Sequence, residues 1–247
     1  MDSRSNSDTT INIHLRTIKA MFRHYLKYGK LDRIPVIDQR KIPSKDPIYI
    51  TDHEFQKIME LDWLDDFYKR VFLLYREAGM RLREPFISTL QGEWIDIPPE
   101  SKTHSQRSIA LALPLQQIFL ELKGWYEEGY GSTLVDAGDH LSKKFKKVLR
   151  YIGAREETHF HSLRHTFAVR RLLTGTPIHE VKLLMGHRSV TTTEQYSNMN
   201  LKRVAQDFPT LVVSYEKGPK VGLEDTLLED TGHLSSDYVP IYEKIEG

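Results

Sequence analysis

A short stretch of the sequence holds side chains that could bind a phosphodiester and attack it. Residues 161–164 read His-Ser-Leu-Arg, a Gly-His pair follows at 186–187, and Tyr196 comes nine positions after that histidine. Arginine and histidine can donate hydrogen bonds to phosphate oxygens, and tyrosine is an unusual nucleophile. The pattern therefore indicates metal-free phosphodiester chemistry in which a tyrosine forms a covalent bond.

The predicted elements place these groups where a ligand can reach them. His161 and Arg164 lie three positions apart at the start of a predicted helix, so they share a face beside the positive end of its dipole. His187 follows a glycine that ends a helix, which places its ring on a turn. Arg81 follows another helix-ending glycine, and Lys102 lies near the tip of a predicted hairpin. Each residue alone is more often a solvated charge or a core side chain, but their order and context favour a site.

Most of the chain has the apolar spacing of amphipathic helices. Thr51 with Glu54 forms a predicted capping box, Gly79 is a predicted helix stop, and Ser162 is the expected cap of the helix after it. Helices are predicted at about 10–28, 52–61, 65–78, 114–128, 139–152, 162–172 and 178–185, with one more around Tyr196 after a capping box at 191–194. Alternating residues at 93–97 and 108–113 predict a hairpin. The expected fold is mainly α with a small antiparallel β-sheet (α+β).

Composition narrows the class of protein. The chain of 247 residues has no cysteine, which excludes disulfides and thiolate metal sites and fits a reducing cytoplasm. No apolar run approaches the length of a membrane span and no export signal is evident, so we expect a cytoplasmic protein. Residues 213–247 hold 3 Lys/Arg and 8 Asp/Glu, which leaves 32 basic and 26 acidic residues in 1–212. This mildly basic body permits nucleic-acid binding without requiring it.

Four ordered motifs resemble those of the catalytic domain of the tyrosine recombinases, the phage integrase family. HSLRHTFA resembles the H-x-L-R-H-T box, and LLMGHRSVTTTEQYS resembles the L-G-H…T-T…Y box. AGMRLRE resembles the box of the first arginine, T-G-M-R-x-x-E, and SKTHSQRSIALALP resembles the hairpin that carries the family's lysine. The similarity covers roughly residues 50–200, and four motifs in the same order make chance a poor explanation.

The resemblance implies a function for each site residue. Tyr196 would attack a DNA phosphodiester and form a 3′-phosphotyrosyl intermediate, while Arg81 and Arg164 hold the non-bridging oxygens. His187 would add a hydrogen bond to these oxygens. His161 would assist proton transfer at the tyrosine.

The leaving 5′ oxygen would receive its proton from Lys102, with Lys123 as a remote alternative because the hairpin is short. Glu84 would be the usual acidic companion of Arg81. Pro85 stands where the family pattern has an aliphatic residue, so we expect the local backbone to differ there. The covalent bond conserves the phosphodiester energy, so the resemblance implies no cofactor, no metal and no ATP.

Four segments are expected along the chain. Residues 1–34 are interpreted as a partial helical core-binding segment with one clear helix, and 35–47 as a linker containing prolines. Residues 48–212 are the expected catalytic domain, and 213–247 are an acidic, mobile tail. Family members normally carry a complete core-binding domain, so we expect a truncated form or a fragment.

Double-stranded DNA is the expected partner, at the nucleoid. The resemblance implies a tetramer on DNA for the full-length protein, and we expect a monomer for the fragment alone. The segment after Tyr196 has apolar residues that either exchange with a neighbouring protomer or pack on their own domain. These residues are Phe208, Leu211, Val212 and Val213.

Other classes of protein share parts of the pattern. Short helices within 162–200 could form a helix-turn-helix in a regulator that binds DNA without catalysis, but a regulator has no use for the groups of the tyrosine site. A truncated recombinase with weak activity is a further alternative. His159, His161 and His165 could bind a metal, yet no carboxylate completes a familiar metal motif.

Overall fold

The computed structural model describes residues 7–42, 46–99, 106–129, 133–186, 196 and 199–211. The chain divides into two units, Met1–Lys45 and Asp46–Gly247. Among the described residues, no helix combines the length and the apolar character that crossing a membrane requires.

The first unit contains one long helix, α1 (Asp8–Lys27). It begins two residues before the predicted start because the Ser7 hydroxyl accepts a hydrogen bond from the Thr10 amide and so caps the helix. The buried Asn12 side chain exchanges two hydrogen bonds of 2.8 Å with the backbone of Arg40. These bonds satisfy the amide and tie the extended chain to the helix.

The second unit is built from helices and a three-stranded antiparallel sheet of order β1-β2-β3. Its strands are β1 (Thr89–Gln91), β2 (Trp94–Ile97) and β3 (Arg107–Ala110). Its helices are α2 (Asp52–Met59), α3 (Asp66–Ala78), α4 (Glu84–Ile87), α5 (Leu113–Gly129), α6 (Leu134–Tyr151), α7 (His161–Leu173), α8 (Ile178–Met185) and α9 (Leu201–Val204), and a 3₁₀ turn (Ala205–Asp207) follows α9. The expected fold class, mainly α with a small antiparallel sheet, is confirmed.

Local signals placed several helix ends correctly. Thr51 and Glu54 form the predicted capping box at the start of α2. Gly79 (φ 62°) ends α3 and Gly186 (φ 60°) ends α8, because glycine adopts the left-handed conformation without the steric cost of a Cβ. Strand β1 was not predicted, because its three residues are too few to show an alternating pattern.

The starts of α7 and α6, like that of α1, differ from the sequence prediction. The predicted cap of α7 is wrong: the helix starts at His161, and Ser162 lies inside its first turn. The Ser162 hydroxyl instead accepts a hydrogen bond of 3.2 Å from the amide of His159, just before the helix. Helix α6 starts at Leu134, five residues earlier than predicted.

Pro85 is accommodated by the start of a helix. It lies in the first turn of α4, where a backbone N–H would have no partner within the helix, so its missing donor costs little. Glu84, at the first position of this helix, is 1% exposed. The short helix therefore turns the chain into β1 while keeping a carboxylate inside the domain.

Two apolar clusters meet along α7. One joins α2, α3, α5, α6 and the sheet, and its ring contacts include Phe72 with Phe145 at 4.6 Å and Tyr75 with Phe160 at 4.7 Å between centroids. The other joins α7, α8 and the described residues from 196 to 211. Helix α7 belongs to both clusters: the first holds its start through Leu163, and the second holds the rest of the helix from Phe167 to Leu173.

The segment after Tyr196 packs on its own domain as far as the structure describes it. Phe208 is 0% exposed and Leu211 is 6% exposed, both within the second apolar cluster. For these two residues, packing within the domain prevails over docking on a neighbour. Val212 and Val213 lie outside the described residues.

Candidate active site

Arg164 is held inside the domain by two helix ends. Its guanidinium donates from Nη1 to the carbonyl of Gly79 at 2.6 Å and from Nη2 to the carbonyl of Met185. Carbonyls at helix carboxyl ends lack helical partners and carry partial negative charge, so they suit a cation. Burial, and then the charge of Arg81, lower the pKa of Arg164 to about 9, which leaves it charged at neutral pH.

Arg81 reaches the same helix end from the loop between α3 and α4. Its Nη2 donates to the carbonyl of Gly186 at 3.1 Å, next to the carbonyl that Arg164 binds. The Glu84 carboxylate accepts two hydrogen bonds from Arg81, one from Nη1 at 2.7 Å and one from the backbone N–H at 2.6 Å. The Tyr75 hydroxyl also donates to the carbonyl of Leu82 at 2.6 Å and holds the loop. The two arginines therefore meet at the last turn of α8.

Arg107 is a third arginine at the site, and it was not among the residues predicted from the sequence. It is buried on β3 and donates to both oxygens of Glu84, at 2.9 and 2.5 Å. Burial alone would raise the pKa of Glu84, but the hydrogen bonds and charge of Arg107 outweigh it and lower the pKa. A usable signal existed: Arg107 lies two positions before Ile109 on a strand, so it shares the inward face, where a charge needs a partner.

Tyr196 is helical and buried, with 1% of its surface exposed. Its hydroxyl lies 2.7 Å from Nδ1 of His165, a residue of α7. It is also close enough to Arg164 to raise the pKa of that arginine. The tyrosine therefore lies within its own domain beside one of the two arginines, as the motifs suggested.

His161 is not the histidine in hydrogen-bond contact with the tyrosine. It is exposed at the start of α7, and its ring lies edge-on to that of His165, with centroids 4.9 Å apart. Desolvation by the groups packed around it, and then the charges of His165 and Arg164, lower its pKa. His165 stands inside the H-x-L-R-H-T box, but from the sequence it was a candidate only as a metal ligand.

Two of the predicted site residues, Lys102 and His187, lie outside the described residues. The alternative lysine, Lys123, donates its Nζ to the carbonyl of Ser88 at 2.5 Å and so ties α5 to the chain before β1. Within the described part of the chain, no group of three or more His, Asp or Glu side chains could hold a metal ion. The three histidines 159, 161 and 165 thus gain no support as a metal site.

This arrangement, a helical domain with a three-stranded antiparallel sheet, two converging arginines and a buried tyrosine, agrees with the catalytic domain of the tyrosine recombinases, which the sequence motifs resemble. The sequence matches the phage integrase family model over residues 49–203, more than half of its length. The chain therefore belongs to the phage integrase family.

Relatives and solved structures agree with this membership. A tyrosine recombinase XerC from Thermodesulfovibrio yellowstonii is 25% identical, over 90% of this chain and 79% of the relative. The Tn1549 transposon integrase in complex with transposon right end DNA is 17% identical with a TM-score of 0.60, over 84% of this chain and 81% of that one. The XerH recombinase bound to difH substrate is 20% identical with a TM-score of 0.55, over 81% of this chain and 64% of that one, just under two thirds. At these identities the two structures establish the fold alone.

Proposed function

We propose that this chain is a site-specific recombinase that cuts and rejoins double-stranded DNA through a 3′-phosphotyrosyl bond at Tyr196. The observation that carries the proposal is the Tyr196 hydroxyl, which lies within its own domain, hydrogen-bonded to His165 and within range of the charge on Arg164. Family membership supports it, as do the XerH and Tn1549 integrase structures, which contain DNA.

In the proposed reaction, the Tyr196 hydroxyl loses its proton to the solvent, a transfer that His161 assists, as its oxygen attacks the phosphorus of one strand. The bond from phosphorus to the 5′ oxygen breaks as the bond to the tyrosine forms, and Lys102 gives the leaving oxygen a proton. The 3′-phosphotyrosyl bond keeps the energy of the phosphodiester, so a second 5′ hydroxyl can reverse the step. The atoms balance without ATP and without a metal or other cofactor.

The arginines stabilise the charge that develops on the non-bridging oxygens. Among the described residues, Nε of Arg164 is a buried donor without a hydrogen-bond partner. Such donors are rare in folded proteins, and a phosphate oxygen is an acceptor of the right charge. Arg81 binds the neighbouring carbonyl at the last turn of α8, and His187, which follows that turn in sequence, completes the proposed set.

The assembly follows from the same proposal. Residues 48–212 carry the chemistry, 1–34 add a helical DNA-binding segment after which 35–47 are a linker, and 213–247 form the acidic tail. The full-length protein would act as a tetramer on double-stranded DNA, in the cytoplasm where the chromosome lies, and the chain alone would be a monomer. Because Phe208 and Leu211 pack on their own domain, any exchange between protomers uses residues beyond 211.

The test is the covalent intermediate itself. Nicked duplexes with a randomised central sequence let the short leaving strand diffuse away, so any molecule that is cut stays attached to the protein and survives detergent. We expect the unmodified chain to form such adducts and Tyr196→Phe to form none while still binding DNA. Tyr151→Phe, a substitution at a tyrosine that is 66% exposed on α6, is the matched control and should form adducts normally.

Two results would contradict the proposed function. An adduct that persists in Tyr196→Phe would assign the nucleophile to another residue. DNA binding by the unmodified chain without any adduct across the library would favour the alternative of a non-catalytic DNA-binding regulator.

A further inference from the structure

The hydroxyl of Tyr196 has a partner that the motif roles do not use. His165 Nδ1 lies 2.7 Å from this oxygen, the distance of a good hydrogen bond. On α7, the ring of His161 contacts the ring of His165, and His165 in turn contacts the hydroxyl of Tyr196. The attacking oxygen must lie in line with the phosphorus atom and the leaving oxygen. A group that holds the attacking oxygen in this position therefore raises the rate of the reaction.

The backbone around His165 is fixed on both sides. Arg164, before it, is anchored to the carbonyls of Gly79 and Met185. Thr166, after it, is fully buried. Its hydroxyl donates a hydrogen bond of 2.8 Å to the carbonyl of Ser162 and accepts one of 2.9 Å from the backbone amide of Ile50. An imidazole between two anchored residues has little freedom, so it can hold a partner in one place.

The charge state of His165 suits an acceptor. Desolvation, and then the electrostatic effect of the neighbouring His159 and Arg164, lower the pKa of His165 to about 4, so the ring is neutral near pH 7. A neutral imidazole has one nitrogen that accepts and one that donates. A hydrogen bond donated by the Tyr196 hydroxyl requires an unprotonated Nδ1, and the ring proton is then on Nε2.

We propose that His165 is a positioning residue for the nucleophile. Its neutral Nδ1 accepts a hydrogen bond from the Tyr196 hydroxyl and so orients that oxygen for attack. The inference rests on the proposed function, because it concerns the same cleavage step. It assigns no proton transfer to His165; the ring stays neutral and its value lies in orientation. His161 remains free for the proton-transfer role that the resemblance implies.

A pair of variants separates orientation from base catalysis. Asparagine places its amide oxygen where histidine has Nδ1, because both atoms are bonded to Cγ, but it cannot take up a proton at neutral pH. We expect His165→Asn to cleave nicked DNA at close to the unmodified rate. His165→Leu has no acceptor and should cleave roughly a hundred-fold more slowly, the cost typical of a misplaced reacting group. DNA binding and the thermal midpoint of both variants show whether each is folded.

Two kinetic results would overturn the inference. Cleavage by His165→Leu at the unmodified rate would mean that the hydrogen bond does not matter. Equal loss in His165→Leu and His165→Asn would mean that histidine supplies proton transfer rather than orientation.

A measurement without DNA keeps the inference separate from the proposed function. In ¹⁵N-detected NMR of the free protein, His165 should have its proton on Nε2 and an unprotonated Nδ1, and Tyr196→Phe should move the Nδ1 signal. A proton on Nδ1 would overturn the inference whatever the activity. If the hydrogen bond is present but no adduct ever forms, the proposed function has failed and the contact between His165 and Tyr196 stands.

Discussion

The histidines of α7 show how a single residue's surroundings decide its chemistry. His165 is half-buried between Arg164 and the hydroxyl of Tyr196, so a proton on it would lose hydration and meet a positive charge. In the unfolded chain the same side chain is solvated and titrates near its ordinary pKa of 6.5. Folding therefore depends on pH wherever only the unfolded chain binds this proton.

We expect the free energy of unfolding to fall as the pH drops from about 6.5 to about 4, because the unfolded chain takes up a proton that folded His165 refuses. Above this window both states are neutral at His165, and below it both are protonated. The contribution is about 1 kcal/mol per pH unit at most, after allowance for solvent around the ring. Urea unfolding of the unmodified chain and of His165→Asn between pH 7 and 4.5 checks this, and the variant should lose less stability.

His179→Asn is the matched control for this titration, since the His179 side chain is 74% exposed on α8. It should keep the pH dependence of the unmodified chain. Parallel curves for the unmodified chain and His165→Asn would contradict the lowered pKa of His165.

At the scale of elements, the last turn of α8 organises the site. The carbonyl of Met185 accepts a hydrogen bond from Arg164, and the carbonyl of Gly186 accepts one from Arg81. The guanidinium of Arg107 packs against Gly186. Three elements that are far apart in sequence therefore share one helix end. Gly186 makes this possible through its left-handed φ of 60° and its lack of a side chain.

We expect Gly186→Ala to abolish adduct formation as well as to destabilise the fold. A Cβ at this position would lie 2.7 Å from Nη1 of Arg107, which cannot move freely because it is bound to Glu84. The left-handed backbone adds strain of about 1–2 kcal/mol. Adduct yield and urea unfolding measure the two effects.

Gly153→Ala provides a matched control. Gly153 has a similar φ of 70° after α6, but nothing lies within 4 Å of an added Cβ. Gly153→Ala should therefore introduce the backbone strain without a steric clash, and it should form adducts with DNA normally. If both variants lost activity equally, backbone strain rather than the contact with Arg107 would explain the effect.

At the scale of the molecule, one carboxylate joins the beginning of the catalytic domain to its end. Asp52, 6% exposed at the start of α2, accepts hydrogen bonds from Arg76 on α3 and Arg170 on α7. Its other oxygen accepts the backbone amide and the hydroxyl of Thr210. The segment that follows Tyr196 is thereby tied to the same domain that supplies the arginines.

We expect Asp52→Ala to lower the free energy of unfolding by at most about 3–5 kcal/mol, because Arg76 and Arg170 lose a buried hydrogen-bonded carboxylate and keep only the longer ion pairs with Glu77, at 3.5 and 3.6 Å. Amide hydrogen exchange in residues 199–211 should also become faster, since the tie to Thr210 is lost. Asp66→Ala, at a carboxylate that is 78% exposed on α3, should cost less than about 1 kcal/mol. A loss below about 1 kcal/mol for Asp52→Ala would show that the carboxylate does not hold these elements together.

The sequence by itself determined what depends on neighbours along the chain. The capping box at Thr51 and the glycine stops at 79 and 186 were predictable, because each is set by a few adjacent residues. The ordered motifs indicated the chemistry for the same reason: reactive side chains at set spacings are visible without a fold. Arg107 was within reach too, as a charge on the inward face of a strand.

Only the tertiary structure decided which residues from distant segments meet. His161 and His165 are one helical turn apart, so no local rule says which of them touches a tyrosine that arrives from another segment. Packing of the residues after 196 against α7 and α8 places the hydroxyl at His165, and the same packing keeps Phe208 and Leu211 within the domain. Spacing along the chain determines which side chains share a face, whereas the fit of one face against another requires the whole fold.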